Sequence, residues 1–323
     1  MNLDFMNKNV NSLATRNKVS EFYQGIMSQD ANELVRQQLI QEVTGLESVS
    51  GSDVISFIGP LVQDADKVVR MQIEKLTSNT QNSEKPTKKL TFLLETVGGQ
   101  VEPVRRIVDV LRHHYDIVDF VIPDYAFSAG TVLVMSGDAI YMDYYSVLGP
   151  IDPQTRQQDG NWGTAIGYIK KFEELVEKSR KNILTKAELA FLLNKFDPIT
   201  LYSYEQESQL AISLIEEWLP KYKFKNWTVT RTRKIPVTPD MKTERAKAIG
   251  KILGDPGQWH SHGRGIPMHV LNSEEMNLII DDMATLPDFY QKVKDYFSLL
   301  RDFSFKSRHG LVVHTRLDHI GWE

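Results

Sequence analysis

Between residues 53 and 142 short apolar runs alternate with stretches of helical periodicity, and this alternation constrains the fold more than any other feature. The predicted strands lie at 54–59, 90–96, 117–122 and 139–142, and the predicted helices at 63–76, 101–114 and 128–135. The strands are apolar along their length instead of at alternate positions, which is typical of a sheet with both faces covered. Strands that alternate with helices in this order predict a parallel sheet with crossover helices, and so an α/β fold.

Two regions flank this α/β segment. Residues 1–50 are polar and carry apolar residues at helical spacing, which predicts a helical arm that packs on the main domain or on a neighbouring subunit. The apolar positions are Ala31, Leu34, Val35, Leu39, Ile40 and Val43. After Gln154 the chain is largely helical, and its last forty residues mix aromatic and basic side chains. We therefore divide the chain into an N-terminal arm (1–50), a main domain (51–285) and a C-terminal tail (286–323).

Composition excludes several classes of protein. The 323 residues include no Cys, which excludes disulfides, thiolate metal sites and a cysteine nucleophile. Covalent catalysis would therefore need Ser, Thr, Lys or a carboxylate. The formal net charge of −4 argues against a general nucleic-acid role. The sequence has neither the apolar stretch of a signal peptide nor the run of about 18 apolar residues of a membrane helix, so we expect a cytoplasmic protein without an integral membrane segment.

A pair of adjacent glycines follows the second predicted strand and precedes a helix. Gly98 and Gly99 let the backbone approach a ligand closely. The helix after them offers unpaired N–H groups and a positive dipole end. Such a turn can bind a phosphate, a carboxylate or a developing oxyanion. The alternative is simple turn chemistry, which needs no ligand.

A serine between small residues follows the third predicted strand. Ser128 lies where a strand gives way to a helix, which would expose its hydroxyl and direct the Ala129 N–H at the atom attacked, as in a nucleophile elbow. The alternative is a helix N-cap. If the strands before the two turns are neighbours in a parallel sheet, both turns lie at the edge where ligands bind. The N–H groups of Gly98 and Ala129 would then flank the carbonyl that Ser128 attacks.

The segment from 54 to 154 resembles the Clp protease–crotonase superfamily. The motifs that carry the resemblance are Thr96-Val-Gly-Gly99, the run Val121–Thr131 and Leu148-Gly-Pro-Ile-Asp-Pro-Gln154. Within the superfamily the chain is similar to the serine dehydrogenase proteinase family, relatives of signal peptide peptidase A. The resemblance implies a fold of ββα units with a helical N-terminal arm and a helical C-terminal region. It also implies a homo-oligomer.

The resemblance further implies peptide-bond hydrolysis through an acyl-enzyme. The serine that matches Ser128 is the nucleophile in such peptidases. The oxyanion is held by the backbone N–H groups of Gly98 and Ala129, and we include Gly99 among the candidates for this oxyanion hole. The expected substrate is a peptide or an unfolded protein.

The sequence leaves the identity of the general base open. The segment that corresponds to the histidine of the Clp proteolytic subunit contains Gly149 and no His. Signal peptide peptidases use a lysine further along the chain, and the helix after residue 164 carries several, although its alternating Lys and Glu are typical of a solvated face. The candidates are Lys170, Lys171, Lys178 and Lys181.

His262 is the other candidate base. Trp259, His262, Ile266 and Pro267 can be laid onto the Trp-Thr-His-Asp-Tyr-Pro-Ile stretch of close relatives, with an insertion. A neutral histidine near pH 7 suits a serine hydroxyl. The alternative is a loop histidine that binds main chain or substrate without taking a proton.

Two residues near these motifs have open roles. His260 and His262 form an H-x-H pair, but a zinc site needs three or four ligands and no further ligand is evident, so we expect no metal and no cofactor. Asp152 either shapes the turn before Pro153 or orients a base.

We therefore expect a serine peptidase with no nucleic-acid partner, and two alternatives remain. The first is a catalytically impaired scaffold or peptide-binding protein with a peptidase fold, since no histidine stands near Gly149. The second is a crotonase-like acyl-CoA enzyme, in which the same N–H groups would stabilise a thioester enolate.

Overall fold

The structure is a computed structural model that describes residues 31–78, 88–152, 154–156, 162–230 and 233–322. The strands in these ranges are β1 (Asp53–Ile58), β2 (Lys89–Glu95), β3 (Ile117–Val121), β4 (Tyr125–Ala126), β5 (Ala139–Met142), β6 (Val147–Leu148), β7 (Gln154–Arg156), β8 (Trp162–Thr164), β9 (Ile266–Pro267), β10 (Asp281–Asp282), β11 (Leu311–His314) and β12 (His319–Trp322). The helices are α1 (31–50), α2 (Ala65–Ser78), α3 (Glu102–His114), α4 (Ala129–Val134), α5 (Ala165–Arg180), α6 (Lys186–Lys195), α7 (Pro198–Lys221), α8 (Pro239–Leu253), α9 (Pro256–Trp259), α10 (Met268–Leu271) and α11 (Pro287–Lys306), with a 3₁₀ turn at Met283–Thr285.

A seven-stranded sheet in the order β10-β5-β3-β2-β1-β11-β12 forms the centre of the molecule. The strands from β10 to β1 are parallel, whereas β11 is antiparallel to β1 and β12 is antiparallel to β11. After β1, β2 and β3 a helix (α2, α3 and α4 in turn) returns the chain to the end of the sheet at which the next parallel strand begins. The predicted α/β fold with a mostly parallel sheet is confirmed.

Helices cover the central sheet on both faces, which explains the continuous apolar strands. Side chains of neighbouring strand residues point to opposite faces. Thus Val54 packs in a layer with α1 and α11, whereas Ile55 packs in a layer with α2, α3, α7 and α8. Both residues are fully buried, so a polar side chain at either position would lose its contact with water.

The predicted N-terminal arm is described from residue 31 onward, and residues 1–30 lie outside the described ranges. Its helix, α1, buries Leu39, Val43 and Leu46 completely in the layer with α11. Leu34 and Ile40, also part of the predicted apolar stripe, are 66% and 41% exposed. The helix therefore packs on its own chain through Leu39, Val43 and Leu46, and Leu34 and Ile40 stay open to solvent.

The predicted C-terminal tail is part of the central fold in this structure. α11 covers one face of the sheet, and β11 and β12 extend the sheet beyond β1. Aromatic and aliphatic residues at helical spacing form the buried face of α11, among them Phe289, Val293, Tyr296 and Leu300. The mixture of aromatic and basic residues is thus a helix with a buried side and a charged side.

A three-stranded sheet, β4-β6-β9, lies next to the end of β2. A parallel bridge between Thr96 and Ala126 joins the two sheets. In the described ranges no helix combines the length and the apolarity that a membrane crossing requires.

One buried histidine makes the stability of this core dependent on pH. The Tyr296 hydroxyl donates to His314 Nδ1 at 2.7 Å and accepts a hydrogen bond from Ser56 Oγ at 2.9 Å. Burial lowers the pKa of His314 to about 3. A histidine in the unfolded chain has a pKa of about 6.5, so below that pH the unfolded state binds a proton that the folded state excludes. This contribution to stability is complete above pH 6.5 and is lost as the pH falls toward 3.

Replacement of His314 by Gln should flatten the acid side of the stability curve. Between pH 7.5 and pH 5 we expect the free energy of unfolding of the wild type to fall by about 2 kcal/mol more than that of H314Q. Urea unfolding at each pH measures this difference. The matched control is His113→Gln, at an exposed position near the end of α3, which should behave like the wild type. Equal pH dependence of H314Q and the wild type would contradict the assignment.

Candidate active site

Three segments of the chain meet at one edge of the β4-β6-β9 sheet. β4 pairs in parallel with β6, with Ala126 opposite Leu148. β6 pairs with β9 in the antiparallel sense, with Leu148 opposite Ile266. Because β9 runs in the other direction, the residues before Ile266 lie at the same edge as the residues after Ala126 and after Leu148. Ser128, Asp152 and His262 belong to these three segments.

The backbone at Ser128 has an uncommon conformation. Its φ of 52° and ψ of −119° lie outside the regions that L side chains usually adopt. Ser128 is the N-cap residue of α4, yet its side chain makes no capping hydrogen bond, so capping does not occupy the hydroxyl. Ala129, the first residue of α4, has a backbone N–H without an intrahelical partner. Strain at a half-buried serine before a helix is typical of a nucleophile elbow.

Gly98 and Gly99 bring the end of β2 into contact with this turn. Their φ values are 95° and 144°, in the region that favours glycine. A Cβ at Gly98 would lie 2.8 Å from the Ser128 Cβ and 3.4 Å from the Ala129 nitrogen. A Cβ at Gly99 would lie 2.2 Å from the Leu61 carbonyl oxygen. Gly98 therefore passes directly beside the serine and Gly99 directly beside Leu61, each at a distance that no side chain permits.

The backbone amides of this pair differ in their hydrogen bonds. The Gly98 N–H donates to Thr96 Oγ1 at 3.0 Å. A bridge to Leu61 uses the Gly98 carbonyl and the Gln100 N–H, each at 2.8 Å, and takes no hydrogen bond from the Gly99 N–H. Thr96 was part of a motif in the sequence, but no role was predicted for it. A threonine two residues before a glycine pair is the signal that points to this contact.

His262 and Asp152 form a hydrogen-bonded pair. His262 Nδ1 donates to Asp152 Oδ1 at 2.8 Å. The Asp152 side chain is 2% exposed and that of His262 is 20% exposed, so a buried carboxylate holds a partly accessible ring. With the proton held on Nδ1, Nε2 is the ring nitrogen that can accept a proton. Among the hydrogen bonds of the described residues none joins Ser128 Oγ to the ring, and such bonds are often long before substrate binds.

The four candidate lysines lie on α5 and its C-terminal end, and each forms an ion pair. The pairs are Lys170–Asp255 (3.0 Å), Lys171–Glu174 (2.9 Å), Lys178–Glu188 (2.7 Å) and Lys181–Glu177 (3.2 Å). Hydrogen bonds to Glu188 and Glu174 raise the pKa of Lys178. The two carboxylates beside Lys178 therefore favour its charged ammonium, whereas a general base must be neutral.

The described ranges contain no group of three or more His, Asp or Glu side chains that could hold a metal ion. His260, the other member of the H-x-H pair, has a φ of 62° and is exposed. Its neighbour His262 is engaged by Asp152.

Comparison with known proteins agrees with the motifs. Residues 35–181 match the model of a family described as ClpP-like SDH-type serine proteinase. Uncharacterized protein MJ0137 of Methanocaldococcus jannaschii is 32% identical over 259 residues, which cover 78% of this chain and 71% of that protein. Uncharacterized protein MJ1495 of the same organism is 26% identical over 172 residues, which cover 51% of this chain and 56% of that protein.

The family match includes the glycine pair, Ser128 and Asp152, and it ends before His262. The resemblance drawn from the sequence motifs is confirmed. The chain belongs to the family of ClpP-like SDH-type serine proteinases.

Proposed function

We propose that the protein hydrolyses peptide bonds through an acyl-enzyme on Ser128, with His262 as the general base. The observation that carries this proposal is the bond between His262 and a buried Asp152, at the sheet edge that also holds Ser128. A serine, a histidine and an aspartate in these roles form the catalytic triad of many serine peptidases. Membership of a serine proteinase family supports the same reaction.

Each of these residues has one role in the proposed reaction. Ser128 Oγ attacks the carbonyl carbon of the substrate while His262 Nε2 takes the hydroxyl proton. Asp152 keeps the proton on Nδ1 and stabilises the imidazolium that forms. The imidazolium then protonates the leaving amine. In the second half of the reaction a water molecule attacks the acyl-enzyme while His262 Nε2 takes its proton, and His262 then gives this proton to Ser128 Oγ as the ester bond breaks and the carboxylic acid product leaves.

Backbone amides beside Ser128 hold the oxyanion in this proposal. The close approach of Gly98 to Ser128 and to the Ala129 nitrogen supports this role, since an oxyanion hole needs backbone donors grouped around the attacked carbonyl. The Gly99 N–H takes no part in the two hydrogen bonds of the bridge to Leu61. The Gly98 N–H donates to Thr96 Oγ1, so its use would require that bond to be exchanged for one to the oxyanion.

The catalytic role of Ser128 predicts loss of covalent labelling on substitution. Ser128→Ala should abolish both peptide hydrolysis and labelling by a fluorophosphonate, because the attacking oxygen is removed. Intact-mass spectrometry measures the label. The matched control is Ser136→Ala, which removes a buried hydroxyl that bonds the Leu133 carbonyl just after α4. This control should label like the wild type.

Other outcomes of the labelling experiment would favour the alternatives. Equal labelling of S128A and the wild type would remove Ser128 from the role. A wild type that binds a peptide aldehyde without a covalent adduct would favour a scaffold, a second candidate supported by the lack of a Ser128–His262 hydrogen bond among the described residues. A thermal shift with acyl-CoA and none with peptide would favour the crotonase-like reaction.

The His262–Asp152 pair predicts a large loss of kcat without loss of the fold. Asp152→Asn should lower kcat by about 10³- to 10⁴-fold, because an amide no longer fixes the proton on Nδ1. His262→Gln should lower it to a similar degree. Steady-state kinetics on a peptide substrate measure both effects.

The surface ion pair of α5 supplies matched controls for this experiment. Asp255→Asn and Lys170→Gln each remove the charge of one partner of the exposed Lys170–Asp255 ion pair, and both variants should retain the wild-type kcat. If Lys170→Gln or Lys178→Gln abolished activity while H262Q retained it, the base would be a lysine and the proposal would be wrong.

We further propose that the substrate is a peptide or an unfolded protein and that the chain forms a homo-oligomer. Exposed apolar side chains in two places support association. Leu34 on α1 is 66% exposed, and Leu193 and Ile199 near the junction of α6 and α7 are 74% and 80% exposed. Native mass spectrometry at micromolar concentration should give a mass of two or more whole chains. A monomeric mass would contradict this part of the proposal.

A further inference from the structure

We infer that Thr131 is a positioning residue, whose hydroxyl fixes the Asp152 segment relative to Ser128. The inference rests on the proposed function, since its consequence is a change in the rate of that reaction. Thr131 was part of a motif in the sequence, but no role was predicted for its side chain. It lies in the first turn of α4 and is fully buried.

The Thr131 hydroxyl joins two of the three segments that form the site. Thr131 Oγ1 lies 2.8 Å from the carbonyl oxygen of Ala126 and 2.9 Å from that of Gly149, both in hydrogen-bond geometry. The same oxygen accepts the Gly149 N–H at 3.1 Å. Ala126 stands two residues before Ser128, and Gly149 stands three residues before Asp152. The hydroxyl is therefore shared between the nucleophile turn and the segment that leads to the aspartate.

The two segments are close enough for this contact to fix their spacing. The Gly149 N–H also donates to the Ala126 carbonyl at 2.9 Å. A Cβ at Gly149 would lie 2.9 Å from the Phe127 Cα, so the backbones touch at the residue before the serine. Closely packed interiors transmit small displacements instead of absorbing them. A shift of Gly149 would thus change the position of Asp152, and through it that of the His262 ring.

Only a hydroxyl can make these contacts from this position. It donates one hydrogen bond and accepts others at the same time. Valine has nearly the same shape as threonine but neither donates nor accepts, so T131V would leave the Gly149 carbonyl without this donor in a buried place. Serine keeps the hydroxyl and removes only the methyl group. The pair of variants therefore separates the hydrogen bonds from the packing.

The test compares the full-length wild type with Thr131→Val and Thr131→Ser. We expect kcat for peptide hydrolysis to fall about tenfold to a hundredfold in T131V, with KM little changed, because a displacement of about 1 Å in an active site costs roughly this much. The rate of fluorophosphonate labelling, counted per molecule that labels, should fall in parallel. T131S should recover both rates to within about threefold of the wild type.

Thr315→Val is the matched control for loss of a buried threonine hydroxyl. Thr315 is fully buried at the turn between β11 and β12, where its Oγ1 bonds Gln72 and the turn backbone. T315V should lose stability but keep the wild-type kcat per labelled molecule. If T131V does not fold, Thr131→Ala replaces it with the same expected fall.

Two results would overturn the inference while the proposed function stands. One is a T131V kcat per labelled molecule equal to that of T315V. The other is a T131S rate as low as that of T131V, which would make the methyl packing decisive. A wild type that neither labels nor hydrolyses peptide would instead refute the proposed function, and the inference with it.

Discussion

The parallel bridge between Thr96 and Ala126 is the contact on which the arrangement of the site depends. It joins the end of β2 to β4, and hydrogen bonds from Thr96 N–H to the Tyr125 carbonyl and from Phe127 N–H to the Thr96 carbonyl hold it at 3.1 and 2.9 Å. The glycine pair begins two residues after Thr96, and Ser128 follows Phe127 directly. A backbone ladder therefore sets the distance between the glycine pair and Ser128, the proposed nucleophile, and this distance does not depend on flexible side chains.

Most of the fold could be predicted because burial on both faces leaves a strong sequence pattern. The strands predicted at 54–59 and 90–96 are each one residue from the observed β1 and β2, and β5 was predicted with its observed bounds. β11 and β12 were missed because an antiparallel edge after a helix carries no crossover pattern. The start of α7 at Pro198 follows from the Asp197 cap, whose carboxylate accepts the Thr200 N–H in a local hydrogen bond that helical periodicity does not reveal.

The candidate site, like the fold, has one part that the sequence predicts and one part that it does not. Gly98, Ser128 and Ala129 belong to short motifs, so the roles proposed for them follow from local order along the chain. The partner of His262 could not, because Asp152 is 110 residues away and only the pairing of β6 with β9 brings the two segments together. From the sequence, Asp152 either shapes the turn before Pro153 or orients a base, since an aspartate before a proline is compatible with both roles. Its contact with the His262 ring favours the orienting role.

A chain without cysteine makes this long-range contact decisive for the proposed chemistry. A thiol is partly ionised near neutral pH, whereas a serine hydroxyl needs a base within hydrogen-bond reach. His262, the proposed base, stands on the loop before β9, and β9 pairs with β6 over only two residues. This short ladder fixes only the end of the loop. The bond between His262 and the buried Asp152 fixes the position of the ring. The proposed nucleophile, Ser128, is thus positioned by neighbouring backbone. The proposed base, His262, is positioned by one side-chain contact, to an aspartate on the segment that Thr131 holds.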